Sequence, residues 1–236
     1  MQRILVAGVA LAASNACSSG GGRSTEVELV PALRANQVGS AGVNAVDTVG
    51  GIRIEVRPDA WQWNPNLAGK STPMFVDIQN SGKVPVVLRY IRFRLTGASA
   101  QRYSAMPVFV LTSMPADSVI VRTPAYPING FTVAPHLRAY YIGMAPYDGP
   151  FMHDSLYYNR YLPAFRRFAL PAAEMVRRAL PEGVLEPGGR VGGFVFFEPF
   201  SHEVMPHITF SLELVNPDNN QSIGTAVIPF VVRLRA

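Results

Sequence analysis

Residues 51–57, GIRIEVR, set Ile52, Ile54 and Val56 against Arg53, Glu55 and Arg57. A period of two belongs to an extended strand with one buried face, because a helix would spread the same residues around its circumference. HITFSLELV (207–215) repeats the pattern, with Ile208, Phe210, Leu212 and Leu214 against Thr209, Ser211 and Glu213. RVGGFVFFE (190–198) is a dense apolar run behind the turn signal EPGG. IGTAVIPFVVRL (223–234) is a last strand interrupted at Pro229, where the missing N–H predicts an edge or a bulge. MFVDIQNSGKVPVVLRYIRFRLTG (74–97) reads as a strand, an Asn-Ser-Gly turn and a longer strand. In the longer strand Leu88, Tyr90, Ile91, Phe93 and Leu95 oppose Arg89, Arg92 and Arg94, and the turn residues tolerate positive φ, so a hairpin is predicted. With 20 glycines and 20 prolines the chain favours many turns over long helices. The predicted fold is mainly β, an antiparallel sandwich of immunoglobulin-like type.

Residues 124–183 break this pattern and hold seven of the nine tyrosines. In PAAEMVRRALPEG (171–183), Ala172, Met175, Val176, Ala179 and Leu180 fall on one helical face behind Pro171, and Pro181 and Gly183 end the run. A second helix is expected from Asp154 through SLYYNRY. The segment is too long for a plain loop, so a small helical cap inserted before the C-terminal strands is predicted, within a domain covering 51–236.

The N-terminal residues bear on location. ILVAGVALAA (4–13) is an apolar stretch behind Arg3, too short to span a bilayer and suited to the h-region of a secretory signal. Ser14 and Ala16 place small side chains at the third and first positions before Cys17, the single cysteine of the chain. This stretch resembles a bacterial lipoprotein signal peptide, with Ser14 where that family usually has leucine. The resemblance implies a signal peptide at 1–16 and a diacylglyceryl group on Cys17. Gly/Ser-rich SSGGGRST then begins a flexible tether expected to run to residue 50, with one early strand at Val27–Val30. By the same resemblance, Ser18 after the cysteine implies an outer-membrane lipoprotein of the cell envelope, facing the periplasm or the cell surface. The competing reading is a secreted protein with a free thiol. Either way a single cysteine leaves no internal disulfide, and the fold must rest on its core. The segments TPMFVDIQNSGKVPVVLRYIRFRLTG, RYSAMP and ALPEGVLEPGGRVGGFVFF resemble a group of bacterial lipoproteins that carries no assigned activity, which implies a lipid-anchored β-sandwich with a capping helix.

Charge and motifs narrow the chemistry. The net charge is +5, but the basic residues are scattered without a long run, so a nucleic-acid partner is not expected. There is no G-x-S-x-G nucleophile elbow and no phosphate-binding glycine loop. A weaker alternative is an envelope enzyme built from carboxylates such as Asp148, Asp154 and Glu203, which show no pairing in sequence that would name an acid and a base. The expectation is a non-enzymatic module without a cofactor. A soft metal set is the alternative: His202, Met205 and His207 lie in SHEVMPH, and His153 follows Met152 in FMHD, a combination suited to copper(I) or, with imidazoles alone, to zinc. The tyrosine-rich stretch, with Tyr140, Tyr141, Tyr157, Tyr158, Tyr161 and Arg160, has the composition of a protein interface, and the same rings could stack on a glycan or fill the gap beneath the cap. The expected partners are the membrane, through the N-terminal lipid, and another envelope protein.

Overall fold

A computed structural model describes residues 27–33, 35–38, 44–58, 60–63, 67, 70–98, 100–111, 121, 124–149, 172–199 and 206–234. Twelve strands join in one sheet, and every ladder is antiparallel. They are β1 (Val27–Pro31), β2 (Asn36–Val38), β3 (Asn44–Val49), β4 (Ile52–Arg57), β5 (Thr72–Asn80) and β6 (Val86–Leu88), then β7 (Phe93–Gly97), β8 (Arg102–Ser104), β9 (Ile128–Val133), β10 (Gly183–Phe197), β11 (His207–Val215) and β12 (Ser222–Leu234). The main order is β1-β12-β11-β6-β10-β5-β4-β3-β2, with β7 on β11, β8 on β7 and β9 on β10. The sheet curls nearly into a barrel: the Val227 N–H of β12 donates to the Asp47 carboxylate of β3 at 2.7 Å, and a Cβ on Gly224 would lie 2.5 Å from Val49.

The alternating strands behave as their pattern dictates. Ile52, Ile54 and Val56 of β4 are fully buried, as are Phe210, Leu212 and Leu214 of β11. β3 and β4 are joined by Gly50-Gly51, both at positive φ, the requirement of a two-residue hairpin turn whose twist matches its strands. Pro229 lies within β12, which continues past it. Its carbonyl accepts from Ala32 beyond the end of β1, so its nitrogen faces the outer edge, where no ladder partner asks for an N–H. Helix α1 (Val108–Leu111) is one turn, and α2 (Ala172–Arg178) follows the predicted apolar face, with Met175, Val176, Ala179 and Leu180 buried.

Four features differ from expectation. The stretch 17–50, read as tether with one early strand at Val27–Val30, holds that strand as β1 and adds β2 and β3. These strands lie toward the margins of the sheet, where Leu29, Pro31 and Ala45 are the buried members. The Asn-Ser-Gly turn does not close a hairpin. β5 and β6 run one after the other along the same side of β10, with Gln79 opposite Arg190 and Val86 opposite Leu185. Asn80 makes this detour self-contained: its Oδ1 accepts from Gly82 at 2.9 Å, while its Nδ2 donates to the carbonyls of Val84 at 2.9 Å and Leu185 at 3.1 Å. EPGG is likewise a bulge inside β10, not a strand start, and the register with β9 shifts there. A Cβ on Gly189 would lie 2.6 Å from the Gly130 carbonyl, so the two strands can cross this closely only without side chains. The longer strand also divides at a 3-10 turn, Tyr90–Arg92, because Tyr90 turns inward and donates its hydroxyl to the Leu180 carbonyl at 2.6 Å.

Candidate functional site

The best-developed surface feature lies on the outer face of the β4–β5–β10 region. Directly opposed residues share a face. Val56, Val76 and Gly193 therefore point one way, and Arg57, Phe75 and Phe194 the other. The run GFVFF is apolar on both faces, which requires a second cover. That cover comes from the segment after β4. Trp61 packs edge-on against Phe194 at 5.1 Å and Phe196 at 5.3 Å, and Trp63 reaches Trp61 at 5.3 Å and Phe194 at 5.6 Å. From the segment before β9, Tyr126 packs on Phe75 at 4.6 Å. Gly192 leaves room for the convergence, since its Cβ would sit 3.3–3.4 Å from Asp77, Phe75 and Tyr126. Trp63 remains 40% exposed, so the cluster opens to solvent on one side.

Two guanidiniums are built into this surface. Arg57 lies 4.0 Å over the Phe75 ring and Arg178 of α2 lies 3.8 Å over the Trp63 ring. The neighbouring carboxylates are engaged elsewhere. Buried Asp77 accepts from Arg190 Nε at 2.9 Å and Nη2 at 3.1 Å, and this pairing holds the Arg190 guanidinium above its ordinary pKa. Glu55 accepts from Arg53 at 2.8 Å and from Asn44 at 2.9 Å, and Glu174 takes Arg178 Nε at 3.2 Å. Arg57 has no carboxylate partner among the described residues, and its Nε is buried without an acceptor. The Tyr126 hydroxyl is also buried without a hydrogen bond of normal geometry. Burial pushes its pKa up, while the adjoining Arg178 guanidinium, through hydrogen bonding and charge, and the Arg57 charge pull it down. The arrangement sets two stacked guanidiniums beside the apolar flank that Trp63 exposes.

The sequence-predicted residues fall elsewhere. Tyr140 and Tyr141 are buried beside α1 and the end of α2, only 9% and 2% exposed. With Tyr90 they surround Phe109, and they donate their hydroxyls to the Phe109 carbonyl at 3.0 Å and the Ala179 carbonyl at 3.4 Å. These two rings are packing residues, not surface anchors. Cys17, Tyr157, Tyr158, Tyr161, Arg160, His153, Asp154, His202, Glu203 and Met205, with the expected second helix, lie outside the described residues. His207 stands exposed at the start of β11, and among the described residues no three His, Cys, Asp or Glu gather to hold a metal. His136 Nε2 lies 3.3 Å from the buried carboxylate of Glu182, whose other oxygen accepts the Tyr90 N–H at 2.7 Å, a junction that ties the segment after β9 to the start of β10 and to the 3-10 turn. The Trp61-Gln62-Trp63 cluster escaped the sequence reading because it lies outside any periodic run. The available signal was GFVFF, whose second apolar face had to be covered by something.

Comparison with protein-family models, with curated proteins and with solved structures finds no match. Among the described residues no helix is long and apolar enough to cross a membrane.

Proposed function

We propose that this protein is a lipid-anchored module of the cell envelope that binds another envelope component without catalysis, tethered through an acylated Cys17. The observation that carries the binding role is the Trp61–Trp63 surface with its two stacked guanidiniums. Tryptophan and arginine supply large contact area and directional donors, and such clusters anchor interfaces. The leader before Cys17 and the Gly/Ser stretch after it support attachment at a distance from a bilayer. An immunoglobulin-like sandwich is the architecture proposed for the domain, supported by antiparallel pairing around one apolar core.

The test uses the full-length chain in a lipoprotein-processing bacterial host. A photoreactive residue replaces Trp63 in one variant and Val227, 51% exposed and on β12, in another. The expected result is a mature mass beginning at Cys17 with acyl chains, and a discrete adduct from position 63 that is absent from 227. An unacylated mass overturns the anchor, and equal labelling at the two positions overturns the binding face.

A further inference from the structure

The outer face of β8, β7 and β11 is basic and holds its charge close together. Arg94 lies between Ser104 and Ser211 on the neighbouring strands, and Thr96 lies likewise between Arg102 and Thr209. Directly opposed residues share a face, and this one points outward, since the alternate residues Leu95, Tyr103 and Phe210 are buried. Arg94 and Arg102 are both exposed and stand as diagonal neighbours, a spacing of about 7–8 Å in an antiparallel pair. Neither has a carboxylate partner among the described residues, because the acids of this region are engaged. Glu213 takes Arg92, and Glu198, beyond β8, accepts the Ser104 N–H at 3.0 Å. On β4, β5 and β10 the outward cations are instead matched, Arg53 with Glu55 and Arg190 with Asp77. Two unmatched like charges side by side repel, and an anionic surface laid across them relieves that repulsion. Thr96, Ser104, Thr209 and Ser211 surround them with hydroxyls that can donate to the same anion.

The course of the chain brings this face toward one particular surface. Val27 opens β1 opposite Leu234, at the end of the sheet where His207 pairs with Val231. Gly97 and Arg102 belong to that end too, since Gly97 pairs with Ile208 and Arg102 with Thr96. Ten steps of chain lead from Cys17 to Val27, and fully extended they reach at most about 36 Å. From β1 to β8 is four strand spacings, about 19 Å. An acyl group on Cys17 would therefore hold the basic face within reach of the lipid headgroups around it.

We propose that the outer face of β8, β7 and β11, centred on Arg94 and Arg102, docks on the anionic phospholipid headgroups of the bilayer that holds the acylated Cys17. This rests on the anchoring half of the reading above and adds a second surface to it, separate from the Trp61–Trp63 face. The guanidiniums meet lipid phosphates, the hydroxyls around them donate to the same oxygens, and no side chain enters the hydrocarbon.

The full-length chain, expressed in a lipoprotein-processing host and purified in detergent, is reconstituted on two kinds of vesicle. One is phosphatidylcholine alone, and the other is phosphatidylcholine with phosphatidylglycerol in equal parts. A photoreactive residue replaces Ser211 in one variant and Val84, exposed between β5 and β6, in another. The expected result is a phospholipid adduct at position 211 on the anionic vesicles, with little at 211 on the neutral ones and little at 84 on either. Arg94→Gln and Arg102→Gln are each expected to reduce that adduct about fivefold, the worth of one cation at an anionic surface, while Arg102→Lys largely keeps it. Salt at about 1 M, where screening acts within roughly 3 Å, should abolish it. Thermal melting of each variant separates lost docking from lost folding. Equal adducts on the two vesicles overturn the recognition of charge, and equal adducts at 211 and 84 overturn the face. Undiminished labelling in the Gln variants overturns the role of the arginines. A protein adduct at 211 in host membranes, with no lipid adduct on vesicles, assigns the face to an acidic protein and overturns the membrane. A mass without acyl chains is the failure of the anchor alone. The same protein is then mixed with both vesicles, and an excess of adduct at 211 on the anionic ones, lost in the Arg94→Gln, Arg102→Gln double variant, upholds the face, whereas no excess overturns it.

Discussion

Tyr141 shows what a single residue contributes to the core beside α1 and α2. Its ring is 2% exposed, and burial raises its phenol well above the ordinary value. Tyr140, Tyr126, Tyr103 and Tyr147 are shifted in the same direction, each chiefly by burial. Below the unfolded value of about 10 the phenols are neutral in both states and their contribution to stability is complete. Above it the unfolded chain releases protons that the folded chain retains, so stability falls as pH rises toward the folded values. Unfolding at alkaline pH is therefore expected to begin near pH ~10, with tyrosinate absorbance appearing together with loss of the circular-dichroism signal. Tyr141→Phe should shallow this pH dependence while costing about 1 kcal/mol or less at neutral pH, since the lost hydrogen bond to Ala179 is long. Tyrosinate absorbance that rises fully before any unfolding would show that the rings are accessible in the folded protein.

At the scale of elements, legibility depended on whether a segment's periodicity was its own. β4 and β11 each have one face in the core, so their alternation predicts them directly. α2 was legible for the same reason, its apolar residues falling on one helical face. The course of β5 and β6 was not, because a Gly-containing turn has the same composition whether it reverses a strand or bulges from one. What decides is Asn80 bonding across to Leu185, more than a hundred positions away in sequence. β3 was missed because a strand one in from the sheet's edge with a single fully buried residue, Ala45, has little pattern to show. The seat of α2 depends equally on a distant residue. A Cβ on Gly193 would lie 2.4 Å from the Leu180 nitrogen and 2.5 Å from its Cα, and backbone atoms cannot rotate aside. Gly193→Ala is therefore expected to destabilise the fold by about 1–3 kcal/mol, the usual cost of overpacking. The measurement is a denaturant melt combined with exchange at the Leu180 N–H, which bonds to the Phe194 carbonyl at 2.9 Å. Unchanged protection of that amide would mean that the junction adapts without opening.

For the molecule as a whole, the weak place is where the curled sheet meets itself. β5 and β10 share an eight-pair ladder beneath the aromatic cluster, whereas β3 and β12 share no ladder. Their contact includes the Asp47–Val227 hydrogen bond, the fit of Val49 against Gly224 and that of Ile223 against Gly50. Regions with few buried bonds open at lower free energy than the core, so the seam should open without global unfolding. Asp47→Ala is expected to lower global stability by no more than about 1 kcal/mol, the worth of one exposed hydrogen bond, while sharply raising exchange at the Val227 amide. Amides along the β5–β10 ladder should keep their protection. Gly224→Ala attacks the same seam from the other side, because its Cβ would meet Val49 at 2.5 Å and its φ of 150° is one that side chains rarely adopt. Two variants acting through one seam should be less than additive when combined, because the second finds the contact already broken. If protection along β5 and β10 fell with that of Val227, closure would be coupled to the entire core and the curled sheet would unfold as one unit. Independent opening would instead leave the Trp61–Trp63 face in place while the far side of the sheet breathes, the rigidity that the proposed binding role requires.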